Sequence, residues 1–301
     1  MNFITYEING QRQLGAILPD GKQAVPLTAL GMDQEYKDMV DFITNVSEVE
    51  LMLAERAWKQ EWEDAIPLDR MQLLSPITRP IHDIICVGIN YRSHQEETLD
   101  TFAESRQKKD EQHIYFGKRA NRITGHGETI VRPDFDEAMD YEAELAVIIG
   151  KTCRDVRPED AEDCIFGYSV FNDVSARNVQ RKHVQWLRGK SLDGYSVMGP
   201  GIVHKSQVAF PPQLDITCHV NGQVRQASNT RLLIADIPTI ISELSQGMTL
   251  EPGDIIATGT PSGVGIGFQP PKFLKAGDEV ICTIEGVGSL KNVVAEGQES
   301  R

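Results

Sequence analysis

The sequence is poor in the features that mark secreted, zinc-binding and membrane proteins. It has five cysteines in 301 residues; the number is odd and no two follow a CxxC spacing, which argues against a disulfide framework and a zinc site. No apolar run approaches the ~20 residues that a membrane-spanning helix needs. The first seven residues, MNFITYE, lack the basic and apolar regions of a signal peptide. We therefore expect a cytoplasmic protein without a membrane partner.

Positive charge is also scarce. Lys and Arg number 30 against 44 Asp and Glu, so the formal net charge is −14. An acidic surface repels the phosphates of nucleic acids and anionic lipids, so we expect neither as a partner. An anionic small molecule remains compatible, because a local cation can reverse the sign of the potential in one pocket.

Two prolines divide the chain into a short and a long part. Pro76 and Pro80 restrict their own φ angles and the residues before them, so no long helix can run through this segment. We predict a small N-terminal accessory domain over residues 1–70 and a catalytic domain over residues 71–301. The short part is predicted to contain strands joined by turns and then two helices. The second of these begins with a capping box at Ser47 and Glu50.

Two glutamates stand at the head of an apolar strand near the centre of the chain. Residues 140–150 end in the apolar run typical of a buried strand. Alternate residues of a strand share a face, so Glu142 and Glu144 are predicted to project together. A second predicted strand ends at Asp173 and adds a third carboxylate. Three hard oxygen ligands suit Mg²⁺ or Mn²⁺, whereas the plainer alternative is an exposed pair of glutamates neutralised by Lys or Arg.

A histidine and a glutamate follow the predicted strand at residues 84–89. If a helix begins there, His94 and Glu97 lie on one face, and the carboxylate can orient the imidazole as a general base. The alternative is a surface pair on an amphipathic turn. The polar residues 98–112 are predicted to form a lid over a site or an ordinary exposed loop.

Two predicted loops carry further candidate groups. Lys190, in a predicted loop at residues 189–194, could stabilise an enolate or a substrate carboxylate, unless it is simply a solvated lysine. The Gly-, Thr- and Ser-rich residues 258–265 could present amides and hydroxyls to an anion; the alternative is an ordinary turn.

Taken in chain order, these segments resemble the fumarylacetoacetate hydrolase family over roughly residues 72–295. Any one motif would be weak, but their ordered occurrence is specific. The motifs are Val87-Gly88-Ile89-Asn90-Tyr91 with His94 and Glu97, Tyr141-Glu142-Ala143-Glu144-Leu145, Phe171-Asn172-Asp173 with Ser175-Ala176-Arg177, Gly189-Lys190-Ser191, and the loop at residues 258–265.

The resemblance implies an α+β, mostly β fold: a β roll or sandwich like the fumarylacetoacetate hydrolase C-terminal domain, with a small N-terminal α+β domain. It also implies a homodimer that binds Mg²⁺ or Mn²⁺. By correspondence with the family's motifs, it assigns Glu142, Glu144 and Asp173 to the metal, His94 and Glu97 to a catalytic dyad, Lys190 to catalysis and substrate binding, and Thr260 and Lys118 to substrate binding.

The implied function is a metal-dependent enzyme that acts on a 2-oxo or β-diketo acid. We expect cleavage of a C–C bond, by acylpyruvate-type hydrolysis or oxaloacetate-type decarboxylation, through a metal-stabilised enolate. The alternatives are an isomerase or tautomerase of a 2-hydroxy-diene-dioate or of oxaloacetate, and a non-catalytic ligand-binding member of the family. One site can serve all of these reactions, so the motifs do not choose between them.

Overall fold

The computed structural model of the chain describes residues 1–32, 35–98 and 112–297. The N-terminal part contains five strands and two helices, namely β1 (Asn2–Ile8), β2 (Gln11–Ile17), β3 (Gln23–Pro26), α1 (Met39–Asn45), α2 (Glu48–Trp58), β4 (Ile66–Pro67) and β5 (Gln72–Leu73). The capping box at Ser47 and Glu50 is present at the start of α2.

The rest of the described chain contributes thirteen further strands and five short helices. The first half contains β6 (Ile84–Gly88), α3 (Arg92–Glu97), β7 (Ile114–Lys118), β8 (Thr129–Arg132), β9 (Met139–Asp140), β10 (Ala143–Ile149), α4 (Ala161–Cys164), β11 (Ile165–Asp173), β12 (Ser175–Ala176), α5 (Arg177–Gln180), α6 (Leu187–Lys190) and β13 (Ser196–His204). The second half contains β14 (Asp215–Val220), β15 (Gln223–Asn229), α7 (Ile237–Ser245), β16 (Ile255–Ala257), β17 (Glu279–Ile284) and β18 (Gly288–Glu296).

Two sheets dominate the described residues. One mixed sheet has the strand order β4-β3-β2-β1-β13-β11-β10-β16-β6-β7, with β5 paired to β1. The other has the order β15-β14-β17-β18-β8. The prediction of a mostly β, α+β fold is confirmed. Among the helices of the described ranges, none combines the length and the apolar character that a membrane crossing requires.

The apolar patterns of the strands explain how the two sheets are covered. Every residue of β10 and β11 is buried, because these central strands are covered on both faces, and their sequences are accordingly apolar almost without interruption. In β17 every second residue is buried, the pattern of a sheet with one face on the core and one exposed. The largest buried cluster joins residues of both sheets.

The N-terminal strands continue the larger sheet. Strand β1 pairs with β13 through Asn2 opposite Val203 and Phe3 opposite Ile202. The ring of Phe3 also packs 5.7 Å from the ring of Phe166. The predicted boundary between residues 70 and 71 thus follows strands that share a sheet with the rest of the chain, and the division into two domains stays a prediction.

Two local predictions were wrong and one falls outside the described residues. Glu142 precedes β10, so alternation along a strand does not explain its direction. Lys190 ends the helix α6 rather than lying in a loop. The lid predicted at residues 98–112 lies almost wholly outside the described residues. The five cysteines are all buried and free.

Candidate active site

The structure brings the three predicted acids together. One oxygen each of Glu142, Glu144 and Asp173 lie within 4.8 Å of one another, and all three residues are buried. Main-chain contacts at the start of β10 place Glu142: its N–H donates to Asn172 Oδ1 at 3.0 Å and its carbonyl accepts from Asp173 N at 2.9 Å. These contacts with β11, rather than strand alternation alone, therefore place Glu142 close to Glu144 and Asp173.

Buried cations hold two of these acids. Lys190 Nζ lies 2.5 Å from Glu142 Oε2 and 2.7 Å from Asp173 Oδ2, so it bridges them. Arg177 Nη2 donates to Glu142 Oε1 at 2.6 Å, and Lys118 Nζ donates to Asp173 Oδ1 at 2.6 Å. Burial opposes ionisation of Glu142, but Lys190 and Arg177 outweigh it and hold the pKa of this carboxyl below its ordinary value. Neutralisation by Lys and Arg, one part of the plainer alternative, is thus present, but the acids are buried rather than exposed.

Glu144 has a different environment. Its Oε2 accepts a hydrogen bond from Gly259 N at 2.8 Å, and within the described residues no Lys or Arg forms an ion pair with it. Burial, followed by the charges of Asp173 and Glu142, raises the pKa of Glu144 well above its ordinary value. A cation bound among the three carboxylates would offset this cost. The donor set therefore fits a hard divalent ion such as Mg²⁺ or Mn²⁺.

The predicted dyad is formed, with His94 buried and Glu97 partly buried. On α3, His94 Nδ1 lies 3.2 Å from Glu97 Oε2, and His94 is 4% exposed. Glu97 Oε1 accepts from Gly263 N at 2.8 Å, so the carboxylate is itself oriented. Gly267 leaves room for it, because a Cβ there would lie 2.0 Å from Glu97 Oε1. The alternative of a surface pair is wrong.

Thr260 lies at the site, but its hydroxyl is already engaged. Its Oγ1 donates to Ala143 O at 2.9 Å and accepts from Gln226 Nε2 at 2.7 Å. Gln226 is fully buried; it also donates to Pro261 O and accepts from Ala143 N, at 2.8 and 3.0 Å. The Thr260 hydroxyl can therefore accept a further hydrogen bond from a substrate. It can donate one to a substrate only if it gives up its hydrogen bond to Ala143 O.

Sequence reasoning gave no role to three residues that support this arrangement, Gln226, Asp140 and Arg177. Asp140 accepts from Gly265 N at 2.6 Å, Ile266 N at 3.0 Å and Arg177 Nε at 2.9 Å. It thus fastens the loop after β16 to the arginine that pairs with Glu142. Asp140 and Arg177 stood beside or within the recognised motifs, whereas Gln226 lay in none of them.

Residues of two kinds line one cleft, whose empty space is about 310 Å³ when its open mouth is included. The polar part of the lining consists of His94, Glu142, Glu144, Arg177, Gln180, Lys190 and Thr260. The mainly apolar part consists of Val87, Gly88, Ile89, Phe116 and Trp186. Lys118 does not line the cleft; it is fully buried behind Asp173.

Comparisons with known proteins agree with this architecture. A family model described as fumarylacetoacetate (FAA) hydrolase C-terminal matches residues 83–295. The chain is 45% identical to the oxaloacetate tautomerase YisK of Bacillus subtilis (strain 168) over 228 residues. The aligned region covers 75% of this chain and 74% of that protein.

Two solved structures extend the likeness to the whole chain. The fumarylacetoacetate hydrolase of psychrophilic Exiguobacterium antarcticum is 37% identical with a TM-score of 0.81, covering 99% of this chain and 100% of that one. Maleylpyruvate hydrolase of Sphingobium sp. SYK-6, in complex with manganese(II) and pyruvate, is 31% identical with a TM-score of 0.77 and the same coverage. The chain therefore belongs to the fumarylacetoacetate hydrolase family.

Proposed function

We propose that the protein is a divalent-metal-dependent enzyme that interconverts the keto and enol forms of oxaloacetate. The observation that carries the proposal is one cleft lined by an oriented histidine, His94, and by Glu142 and Glu144, two acids of the three-carboxylate cluster. The similarity to an oxaloacetate tautomerase at 45% identity supports this reaction. Sequence reasoning put C–C bond cleavage first and tautomerisation second; the comparisons favour the second.

Glu142, Glu144 and Asp173 are the residues that would hold Mg²⁺ or Mn²⁺. When bound, the ion would act as a Lewis acid that draws electron density from the 2-oxo group and its carboxylate. The manganese and pyruvate in the maleylpyruvate hydrolase structure support a similar use of the site here. The carboxylate oxygens of these three residues suit either metal.

His94 is the proposed proton carrier. The C3–H bond of the keto acid breaks, its electron pair forms the C2–C3 double bond, and the oxygen at C2 gains a proton. The ring Nε2 of His94 accepts and returns that proton, while Glu97 holds Nδ1 and thereby the ring orientation. No atom is gained or lost, and no nucleophilic water is needed.

Lys190 and Arg177 supply positive charge beside the proposed reaction centre. Both are almost completely buried, and a charge that is fixed before the reaction costs little reorganisation when negative charge develops on the substrate. Burial lowers the pKa of Lys190, but Asp173 and Glu142 outweigh it, so the net shift is upward and the ammonium stays protonated. Lys190 therefore stabilises charge rather than acting as a base.

Hydrolysis of an acylpyruvate is a second candidate reaction. It is favoured by the likeness to maleylpyruvate hydrolase over 99% of this chain. In that reaction His94, oriented by Glu97, would activate a water toward the distal carbonyl. For either reaction we propose a small 2-oxo acid as the partner and a homodimer as the assembly.

The test follows the ultraviolet absorbance of enol-oxaloacetate with and without Mg²⁺ or Mn²⁺, and analyses the products. We expect metal-dependent interconversion with total oxaloacetate conserved, and a loss of at least 100-fold in Glu144→Gln. The matched control is Glu251→Gln, which alters an exposed carboxylate. Pyruvate formed in step with enol loss would instead indicate decarboxylation, and faster cleavage of acetylpyruvate would indicate hydrolysis. No metal-dependent turnover of any of these acids would favour a non-catalytic binding protein.

A further inference from the structure

Trp186 belongs to the apolar part of the cleft lining. This residue immediately precedes α6, and its carbonyl accepts hydrogen bonds from Gly189 N at 3.0 Å and Lys190 N at 3.1 Å. The indole and the Lys190 ammonium therefore enter the cleft from one turn of the chain. Any displacement of the indole that moves this turn would also move Lys190.

The indole is held between two neighbouring strands. A Cβ on Gly88, at the end of β6, would lie 2.6 Å from Trp186 Cζ3, so the ring rests directly on the backbone there. On β7, the Phe116 ring lies 5.2 Å from the Trp186 ring at an interplanar angle of 73°. Such an edge-to-face contact is a favourable aromatic arrangement, and it fixes the ring as a wall of the cleft.

The indole lines the same cleft as the charged side chains of Glu142, Arg177 and Lys190. Lys190 Nζ lies 5.3 Å from the centre of the Phe116 ring, so the charged and the aromatic groups of the lining meet there. A 2-oxo acid that places its carboxylate and keto oxygen among the charged groups must direct its remaining substituent elsewhere in the cleft. Trp186 and Phe116 line this cleft beside the charged groups, so a long substituent would meet their rings.

We propose that Trp186 is a specificity-determining residue that limits the length of the substituent carried by the 2-oxo acid. This inference rests on the proposed function and adds a substrate class to it: short 2-oxo acids, in which the distal group is about the size of a carboxylate or an acetyl group. Removal of the indole would open apolar space beside Gly88 and Phe116. Each methylene buried there is worth about fourfold in affinity.

Calorimetric binding to the protein loaded with Mg²⁺ tests this without relying on turnover. The ligands are oxalate, which has no tail, and pyruvate, 2-oxohexanoate and 2-oxooctanoate, whose tails increase in length. We expect the wild type to bind 2-oxooctanoate much more weakly than pyruvate. Trp186→Ala should bind 2-oxooctanoate at least tenfold more tightly than the wild type and oxalate within about twofold of it. Trp186→Phe, which keeps a smaller ring, should gain about threefold.

The matched control is Val184→Ala, two residues earlier, where the side chain is 88% exposed; its chain-length preference should equal that of the wild type. If the wild type binds neither oxalate nor any of the 2-oxo acids, the proposed function fails. If oxalate binds but the folded Trp186→Phe and Trp186→Ala proteins keep the wild-type preference, the role of Trp186 is overturned. Should the alanine variant not fold, the phenylalanine variant alone decides between these outcomes.

Discussion

Lys190 Nζ lies 2.7 Å from Asp173 Oδ2, and both side chains are almost fully shielded from solvent. The same ammonium reaches Glu142 at 2.5 Å. A lysine thus bridges two acids of a three-acid cluster that is proposed to hold a divalent ion. The two cations share ligands, so the binding of the ion and the position of the lysine must be coupled.

Replacement of Lys190 by methionine tests this coupling. The variant removes one positive charge beside the ion and frees two carboxylate oxygens. Two unit charges about 4 Å apart interact by about 4 kcal/mol at an effective dielectric constant of about 20, so removal of part of this repulsion should tighten Mn²⁺ binding by at least tenfold. Turnover should nevertheless fall, because the ammonium stabilises charge on the substrate.

Titration with Mn²⁺, followed by electron paramagnetic resonance or calorimetry, measures the affinity of the Lys190→Met protein. Lys291→Met is the control, because Lys291 is half exposed and pairs with Glu279 on the smaller sheet. Weaker or unchanged Mn²⁺ binding in Lys190→Met would show that the lysine helps to assemble the ligands rather than competing for them.

The sequence predicted the groups of the site better than their supports. Glu142, Glu144, Asp173, His94 and Glu97 were found because each lies in a motif with its own chemistry. The contacts of Gln226 join a hairpin strand to the turn after β16 and to Ala143. Such contacts depend on tertiary packing between distant segments, which periodicity and spacing along the chain do not encode.

The same distinction holds for the fold. Local signals predicted the capping box of α2, since it depends on neighbours in the chain. The order of the large sheet depends on pairings such as that of Asn2 with Val203, which no local pattern reveals. The short helix α6, which ends at Lys190, was missed for a related reason. It packs closely against α5, since a Cβ on Gly189 of α6 would lie only 2.6 Å from Gln180 of α5. Such a contact between two segments is not visible in the local sequence.

Substitution of His94 by glutamine should separate proton transfer from metal binding. The dyad histidine does not contribute a ligand atom to the three-acid cluster. We therefore expect turnover of oxaloacetate to fall 10²- to 10⁴-fold, the usual contribution of a general base, while Mn²⁺ affinity stays within about threefold.

The control is His82→Gln, because His82 is a half-exposed histidine that also contacts carboxylates, those of Asp254 and Glu251. Its turnover should match the wild type. A parallel loss of Mn²⁺ binding and turnover in His94→Gln would mean that the histidine serves the metal site instead of the proton.

Loss of Gln226 should damage both stability and substrate binding. In Gln226→Ala, Ala143 N–H and Pro261 O lose their buried partner, and Thr260 Oγ1 loses a donor. A buried polar group left unpaired costs about 1–3 kcal/mol, so we expect a loss of roughly 3 kcal/mol or more in the free energy of unfolding. Movement of Thr260 should also raise KM for oxaloacetate.

Urea denaturation and steady-state kinetics measure these two effects. Gln223→Ala on the same strand removes an exposed glutamine and should change neither value appreciably. If Gln226→Ala were as stable as Gln223→Ala, the hydrogen bonds around Thr260 would contribute little to the fold.

His204 should make stability fall in mildly acidic solution. Burial lowers the pKa of His204 to about 4, and the positive charges of the N-terminal amino group and Lys205 add to the shift. The unfolded chain takes up this proton near pH 6.5, the ordinary value for histidine. The unfolded state thus binds more protons between these two values. The stability due to neutral His204 is complete above about pH 6.5 and is lost as the pH falls toward 4.

The shift corresponds to roughly 2–3 kcal/mol between pH 7.5 and pH 4. His204→Asn removes the titrating ring and keeps an acceptor for Ser206 N, which donates to His204 Nδ1 at 3.3 Å. Urea denaturation from pH 7.5 to 4 should therefore show a shallower decline for His204→Asn than for the wild type, and His183→Asn, at an exposed histidine, should follow the wild type. Parallel curves for the wild type and His204→Asn would mean that His204 accepts its proton as readily in the folded protein as in the unfolded chain.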